Sequence, residues 1–104
     1  MDKRVVTLIT DFGIRDGYVG VMKGVIAGIN PDASVIDISH QVAPQDISEA
    51  AAILKDSYRY FPKGTIHLVI VDPGVGGNRR PIIVETDDYT YVGPDNGIFT
   101  PILT

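Results

Sequence analysis

The run Val5-Val6-Thr7-Leu8-Ile9-Thr10 constrains this chain more than any other segment. It is rich in β-formers and never alternates with charged or strongly polar residues. A strand with one wet face alternates, whereas a parallel strand covered on both faces does not. The run therefore predicts a buried strand with helices above and below it, and the segments that follow supply them. Tyr18, Val21, Met22, Val25, Ile26 and Ile29 recur at helical spacing. Asn30-Pro31 closes that helix, because a residue before proline is disfavoured in the α region. Ser34–Ser39 reads as a second strand. Asp46 is a helix N-cap with Glu49 three residues on, a capping-box-like start. Ile47, Ala50, Ala51, Leu54 and Tyr58 then share one face, and Pro62-Lys63-Gly64 ends the run. Thr65–Val71 is a third strand, Pro81–Glu85 a fourth and Thr90–Val92 a short fifth. Residues 97–104 look like the opening of another helix. Two helices alternating with the first three strands predict an α/β fold with a doubly wound, mostly parallel sheet.

At 104 residues the chain is one domain at most. Its last helix does not continue, so residues 1–104 are expected to be a domain truncated at its C-terminal end. Hydrophobic residues make up 44% and charged residues 21%, the proportions of a water-soluble globular protein. No apolar run is long enough to span a membrane, and no signal-peptide core follows Met1. With no cysteine there is neither a disulfide framework nor a thiolate zinc site. A cytoplasmic location is expected. The net charge of −4, with basic residues scattered, excludes a nucleic-acid surface, which needs a concentrated positive field. It suits a small cationic ligand.

Open α/β sheets bind ligands beyond the carboxyl ends of their strands, and here those ends carry polar residues. The first strand leads into Thr10-Asp11-Phe12-Gly13-Ile14-Arg15-Asp16, and the second ends in Asp37-Ile38-Ser39-His40. The third leads into Asp72-Pro73-Gly74-Val75-Gly76-Gly77-Asn78-Arg79-Arg80, and the fifth into Pro94-Asp95-Asn96-Gly97. Each piece also has a structural reading: Asp11 as a turn or cap, Asp95-Asn96-Gly97 as turn chemistry, the histidines as satisfied core residues. His67, inside a strand, is read as structural. The glycine run lacks the Lys-Ser/Thr of a phosphate loop and follows the third strand, so it matches no dinucleotide fingerprint. An aspartate ending a buried strand is costly to desolvate alone. Asp72 is therefore expected to pair with an arginine of the returning loop, either as part of a site or as a loop-locking bridge.

Four stretches in register, TDFGIRDGYVGVMKGVI, DISHQVAPQDISEAA, YFPKGTIHLVIVDPGVGGNRR and VGPDNGIFT, resemble the SAM (S-adenosylmethionine) hydroxide adenosyltransferases. This family is related to the SAM-dependent fluorinase and chlorinase. The resemblance implies a Rossmann-like domain and water attack at the ribose C5′ of SAM, giving adenosine and methionine with no cofactor and no metal. It implies that Asp72 and Arg79 surround the attacking water. Asp11, beside Phe12, would bind the ribose hydroxyls, Asp16 the methionine ammonium, and Asp95 and Asn96 further substrate atoms. An arginine stays protonated and is no ordinary base, and an arginine paired with Asp72 makes that carboxylate a weaker base too. The pair is read as a device for orienting water. The resemblance implies that Arg79 rather than Arg80 faces Asp72, and neighbouring side chains on an extended segment would point oppositely.

The family's catalytic histidine lies in a His-Gly-Arg-Asp-type segment, which this chain ends before reaching. Neither His40 nor His67 is given that role. The carboxy-terminal β-barrel domain, which in the family completes the adenine pocket across a homotrimer interface, is likewise not expected within residues 1–104. The halogenases carry Tyr at the position of Asp72 and Trp at that of Gln45, so the resemblance favours hydrolysis over halogenation. Two further readings remain. One is a metal-dependent phosphohydrolase using Asp11, Asp16, Asp72 and Asp95 as oxygen ligands. The other is a non-catalytic fragment that binds SAM or a nucleoside.

Overall fold

The computed structural model describes residues 4–13, 17–71 and 81–103. Its centre is a five-stranded sheet of β1 (Val5–Thr10), β2 (Ser34–Ser39), β3 (Ile66–Ile70), β4 (Pro81–Glu85) and β5 (Thr90–Pro94). The spatial order is β2-β1-β3-β5-β4. β1 pairs in parallel with β2 and β3, β3 pairs in parallel with β5, and only β4 runs antiparallel, against β5. The sheet is mostly parallel, as the unbroken run in β1 predicts: residues 6–10 are all buried.

From β1 the chain runs through α1 (Tyr18–Ile29) to β2 on one side, then through α2 (Ile47–Ser57) to β3 on the other. With right-handed crossovers this puts the two helices on opposite faces of the sheet. The face under α2 holds the main core: Ile9, Val69, Val71 and Tyr91 pack with Ala50, Ala51 and Leu54, and with Ile98 and Phe99 ahead of α3 (Thr100–Leu103). Gly93 is needed there, because a Cβ at that position would stand 2.5 Å from the Val69 carbonyl oxygen and 2.9 Å from the Phe99 ring.

α2 begins as the sequence requires. The Asp46 carboxylate accepts from the Glu49 amide at 2.9 Å. The reciprocal arm differs: Glu49 Oε2 accepts from the Ala43 amide at 3.4 Å, tying the helix to the loop before it. α1 ends at Asn30, whose backbone is extended ahead of Pro31. Its apolar residues divide between two faces. Met22 and Ile26 are half-buried towards the sheet, whereas Tyr18, Val21, Val25 and Ile29 are exposed. No helix among the described residues is long and apolar enough to cross a membrane.

Candidate functional site

Because the chain passes from β1 outward to β2 and then from β2 back across to β3 on the other side of β1, the sheet has its topological switch point between β1 and β3, where doubly wound proteins bind ligands. Thr10 of β1 registers with Ile70 of β3, so the residues following the two strands emerge on the same rim. Asp11 follows β1 directly, and Val71 follows β3. Asp72 and Arg79 lie outside the described residues, as do Asp16 and Arg80.

Asp11 is half-buried, and its Oδ2 accepts from the Gln45 amide at 2.8 Å. Among the described residues, Gln45 is the one non-glycine residue in the left-handed region, with φ of 63°, a conformation that costs about 1 kcal/mol or more for such a residue. That backbone turns its N–H back towards β1, and the contact follows from it. Phe12 donates its amide to Thr10 Oγ1 at 3.2 Å and sets its ring 5.9 Å from that of Tyr18. Gly13, with φ of 73°, donates to the His40 carbonyl at 2.7 Å.

On the β5 side, Asp95 is exposed and Asn96 half-buried. The Asn96 amide nitrogen donates to the Val71 carbonyl at 2.9 Å, and its oxygen accepts from the Ile98 amide at 3.2 Å. Asn96 thus clamps the end of β5 to the end of β3, beside the point where Asp72 follows. The structure brings Asp11, Phe12 and Asn96 to one rim, with Asn96 partly committed to backbone.

Beneath Asp11 lies a polar chain that the sequence reading missed. Lys23 on α1 donates to Asp37 Oδ2 at 2.7 Å. Asp37 Oδ1 lies 2.8 Å from His40 Nε2, and His40 Nδ1 lies 2.8 Å from Thr10 Oγ1. Partial burial works to raise the Asp37 carboxyl's pKa, but the hydrogen bonds and charges of Lys23 and His40 outweigh it and hold it below the ordinary value. The signal lay in the Asp37-Ile38-Ser39-His40 strand end, but its partners are distant in sequence.

His67 is structural. It is fully buried, its Nδ1 lies 2.6 Å from Thr7 Oγ1, and its ring stacks on Tyr91 with centroids 5.4 Å apart. Nε2 has no hydrogen-bond partner among the described residues. Burial lowers its pKa to about 4, offset slightly by the Tyr58 backbone, which makes no geometrically acceptable hydrogen bond to Nε2.

Among the described residues no three acids or histidines gather as a metal site requires. An apolar hollow on the α1 side, lined by Val6, Ile26, Ile29, Ile66, Leu68 and Val92, presents no acid and lies away from the rim.

Fold and rim define a doubly wound α/β domain whose switch point lies at the carboxyl ends of β1 and β3, with the Asp11 carboxylate fixed beside it. Residues 6–104 match the SAM hydroxide adenosyltransferase N-terminal domain, and the chain belongs to that family. It is 48% identical to the (R)-S-adenosyl-L-methionine hydrolase of Methanocaldococcus jannaschii over 92% of its length and 38% of the relative's. A crystal structure of a conserved Thermotoga maritima protein superposes with a TM-score of 0.89 at 43% identity, over 93% of this chain and 38% of that one. A fluorinase from Nocardia brasiliensis is 25% identical over 95% of this chain and 41% of its own length. The chain therefore spans about two-fifths of the relatives it matches.

Proposed function

We propose that this domain forms part of an enzyme that hydrolyses SAM to adenosine and methionine. The observation that carries the reading is the shared rim: parallel pairing of β1 with β3 brings Asp11 out beside the strand that leads to Asp72. Membership of the adenosyltransferase family supports it. In the proposed reaction, water attacks ribose C5′ as the C5′–S bond breaks. The bonding pair leaves with sulfur to give neutral methionine, and the water's proton is released as adenosine forms.

The sulfonium is already a good leaving group, so orientation of water and substrate is the main task. Asp11 is proposed to accept hydrogen bonds from the ribose hydroxyls and Asp16 to hold the methionine ammonium. Asp72 with Arg79 would orient the water, and Asp95 and Asn96 would line the far side. The same reading carries SAM as a small-molecule substrate, no cofactor, and a cytoplasmic homotrimer.

The test is chromatographic detection of adenosine from SAM, with and without EDTA. The full gene product should turn SAM over equally in both conditions, and Asp72→Ala should slow it by roughly a hundredfold or more, the cost of one preorganised electrostatic partner. Residues 1–104 alone should be far weaker, having less of the wall that orients substrate and excludes water. Loss of activity with EDTA would favour the metal-dependent phosphohydrolase. SAM binding without turnover by the full product would favour a binding protein.

A further inference from the structure

We propose that His40 is a positioning residue for Asp11, an inference that rests on the reading above in which Asp11 holds the ribose. The argument begins with a strand irregularity. Leu8 registers with Asp37, but Ile9 registers with Ser39, so Ile38 is an extra residue bulged out of the pairing. In a regular strand, residues three apart point to opposite faces. The bulge cancels one alternation and lets Asp37 and His40 share the face to which Thr10 belongs. Their 2.8 Å contact and that of His40 with Thr10 follow from it.

The donors and acceptors then form one ordered chain. An ionised Asp37 only accepts, so His40 Nε2 carries the proton that it donates. In the neutral ring Nδ1 then accepts from the Thr10 hydroxyl. The Thr10 oxygen in turn accepts from the Phe12 amide. Lys23 anchors the far end on α1. His40 acts on the turn a second time through its carbonyl, which accepts from the Gly13 amide at 2.7 Å. The amides of Phe12 and Gly13 are thus both fixed through His40, one through its ring and one through its backbone.

Asp11 immediately precedes this pair, and its own carboxylate is held from the opposite side by Gln45. Any buried histidine needs partners for its ring nitrogens; what ties this ring to the turn is that its partner Thr10 also holds the Phe12 amide, next to Asp11. With His40 only 7% exposed, water is poorly placed to replace the ring. Loss of the imidazole would leave the backbone bond to Gly13 but free the Thr10–Phe12 side of the turn, loosening the direction of the Asp11 carboxylate. His40 itself need not touch substrate.

The test uses SAM kinetics and amide exchange on the full gene product. His40→Ala should raise the KM for SAM about tenfold with kcat changed less than about threefold, as expected when one net hydrogen bond common to ground and transition states is lost. His40→Asn, whose amide can reach Thr10 in place of Nδ1, should recover most of the KM. Thr10→Val, which keeps the shape but cuts the link to Phe12, should raise KM like His40→Ala and carries the test if that variant does not fold. Exchange at the Phe12 amide should accelerate in Thr10→Val and in His40→Ala. An unchanged KM in both variants, or a drop in thermal stability with KM intact, overturns the inference. Absence of SAM turnover by the wild type overturns the functional reading alone. Exchange then decides the positioning role: unchanged protection at Phe12 overturns it.

Discussion

Acid should weaken this fold through His67 well before the carboxylates alone would do so. His67 is buried between Tyr91, Tyr89 and Phe61, with ring centroids 5.2 to 5.5 Å away, and its Nε2 lacks a partner among the described residues. Its pKa falls from 6.5 to about 4 because burial penalises the charged ring. The folded value is the depressed one, so the unfolded chain binds a proton that the native chain refuses between those two pH values. Stability is fully present above pH 6.5 and drains as pH falls towards about 4. At about 1.4 kcal/mol per pH unit, the gap corresponds to roughly 3 kcal/mol in full. That is a large share of the total for a domain this small.

The assay is urea unfolding from about pH 7 down to about pH 4.5, repeated on the double variant His67→Phe/Thr7→Val. That variant removes both polar partners together and should be near neutral at pH 7. Over that range the wild-type stability should fall more than the variant's by roughly 2 kcal/mol, about seven-tenths of the full amount. Parallel curves for the two proteins would refute the reasoning.

Two further outcomes follow from the packing. Gly93→Ala should lose about 1–3 kcal/mol by overpacking against the Val69 carbonyl and Phe99, and calorimetry should show the melting temperature down by roughly 4–8 °C per kcal/mol; an unchanged melting temperature contradicts the close approach. Asp46→Ala should cost about 1 kcal/mol by uncapping α2, whereas Asp46→Asn should retain most of that stability in urea titrations.

Much of this architecture is legible in the residues. The β1 run announces burial on both faces because local composition answers that question. The Asp46 cap is legible because its partner lies three residues away. The antiparallel pairing of β4 and β5 is legible as well, because only Thr86–Tyr89 separate them and a parallel crossover needs a dozen or more residues. α1 was harder. Helical spacing shows which residues are apolar, not what covers them, and Tyr18, Val21, Val25 and Ile29 are exposed.

At the rim, Asp11 was legible from its place after a strand. The bonds of His40 were not, because Thr10 lies 30 residues away and the pairing depends on a bulge at Ile38. The Asn96 clamp likewise depends on the β3–β5 pairing, which brings Val71 within its reach.

The most direct test of the account is the origin of the oxygen in the product. The full gene product is incubated with SAM in ¹⁸O-water, and adenosine and methionine are weighed by mass spectrometry. Attack of water at C5′ predicts one ¹⁸O atom in the 5′-hydroxyl of adenosine and none in methionine. Unlabelled adenosine, or breakdown of SAM that yields no adenosine, would contradict it.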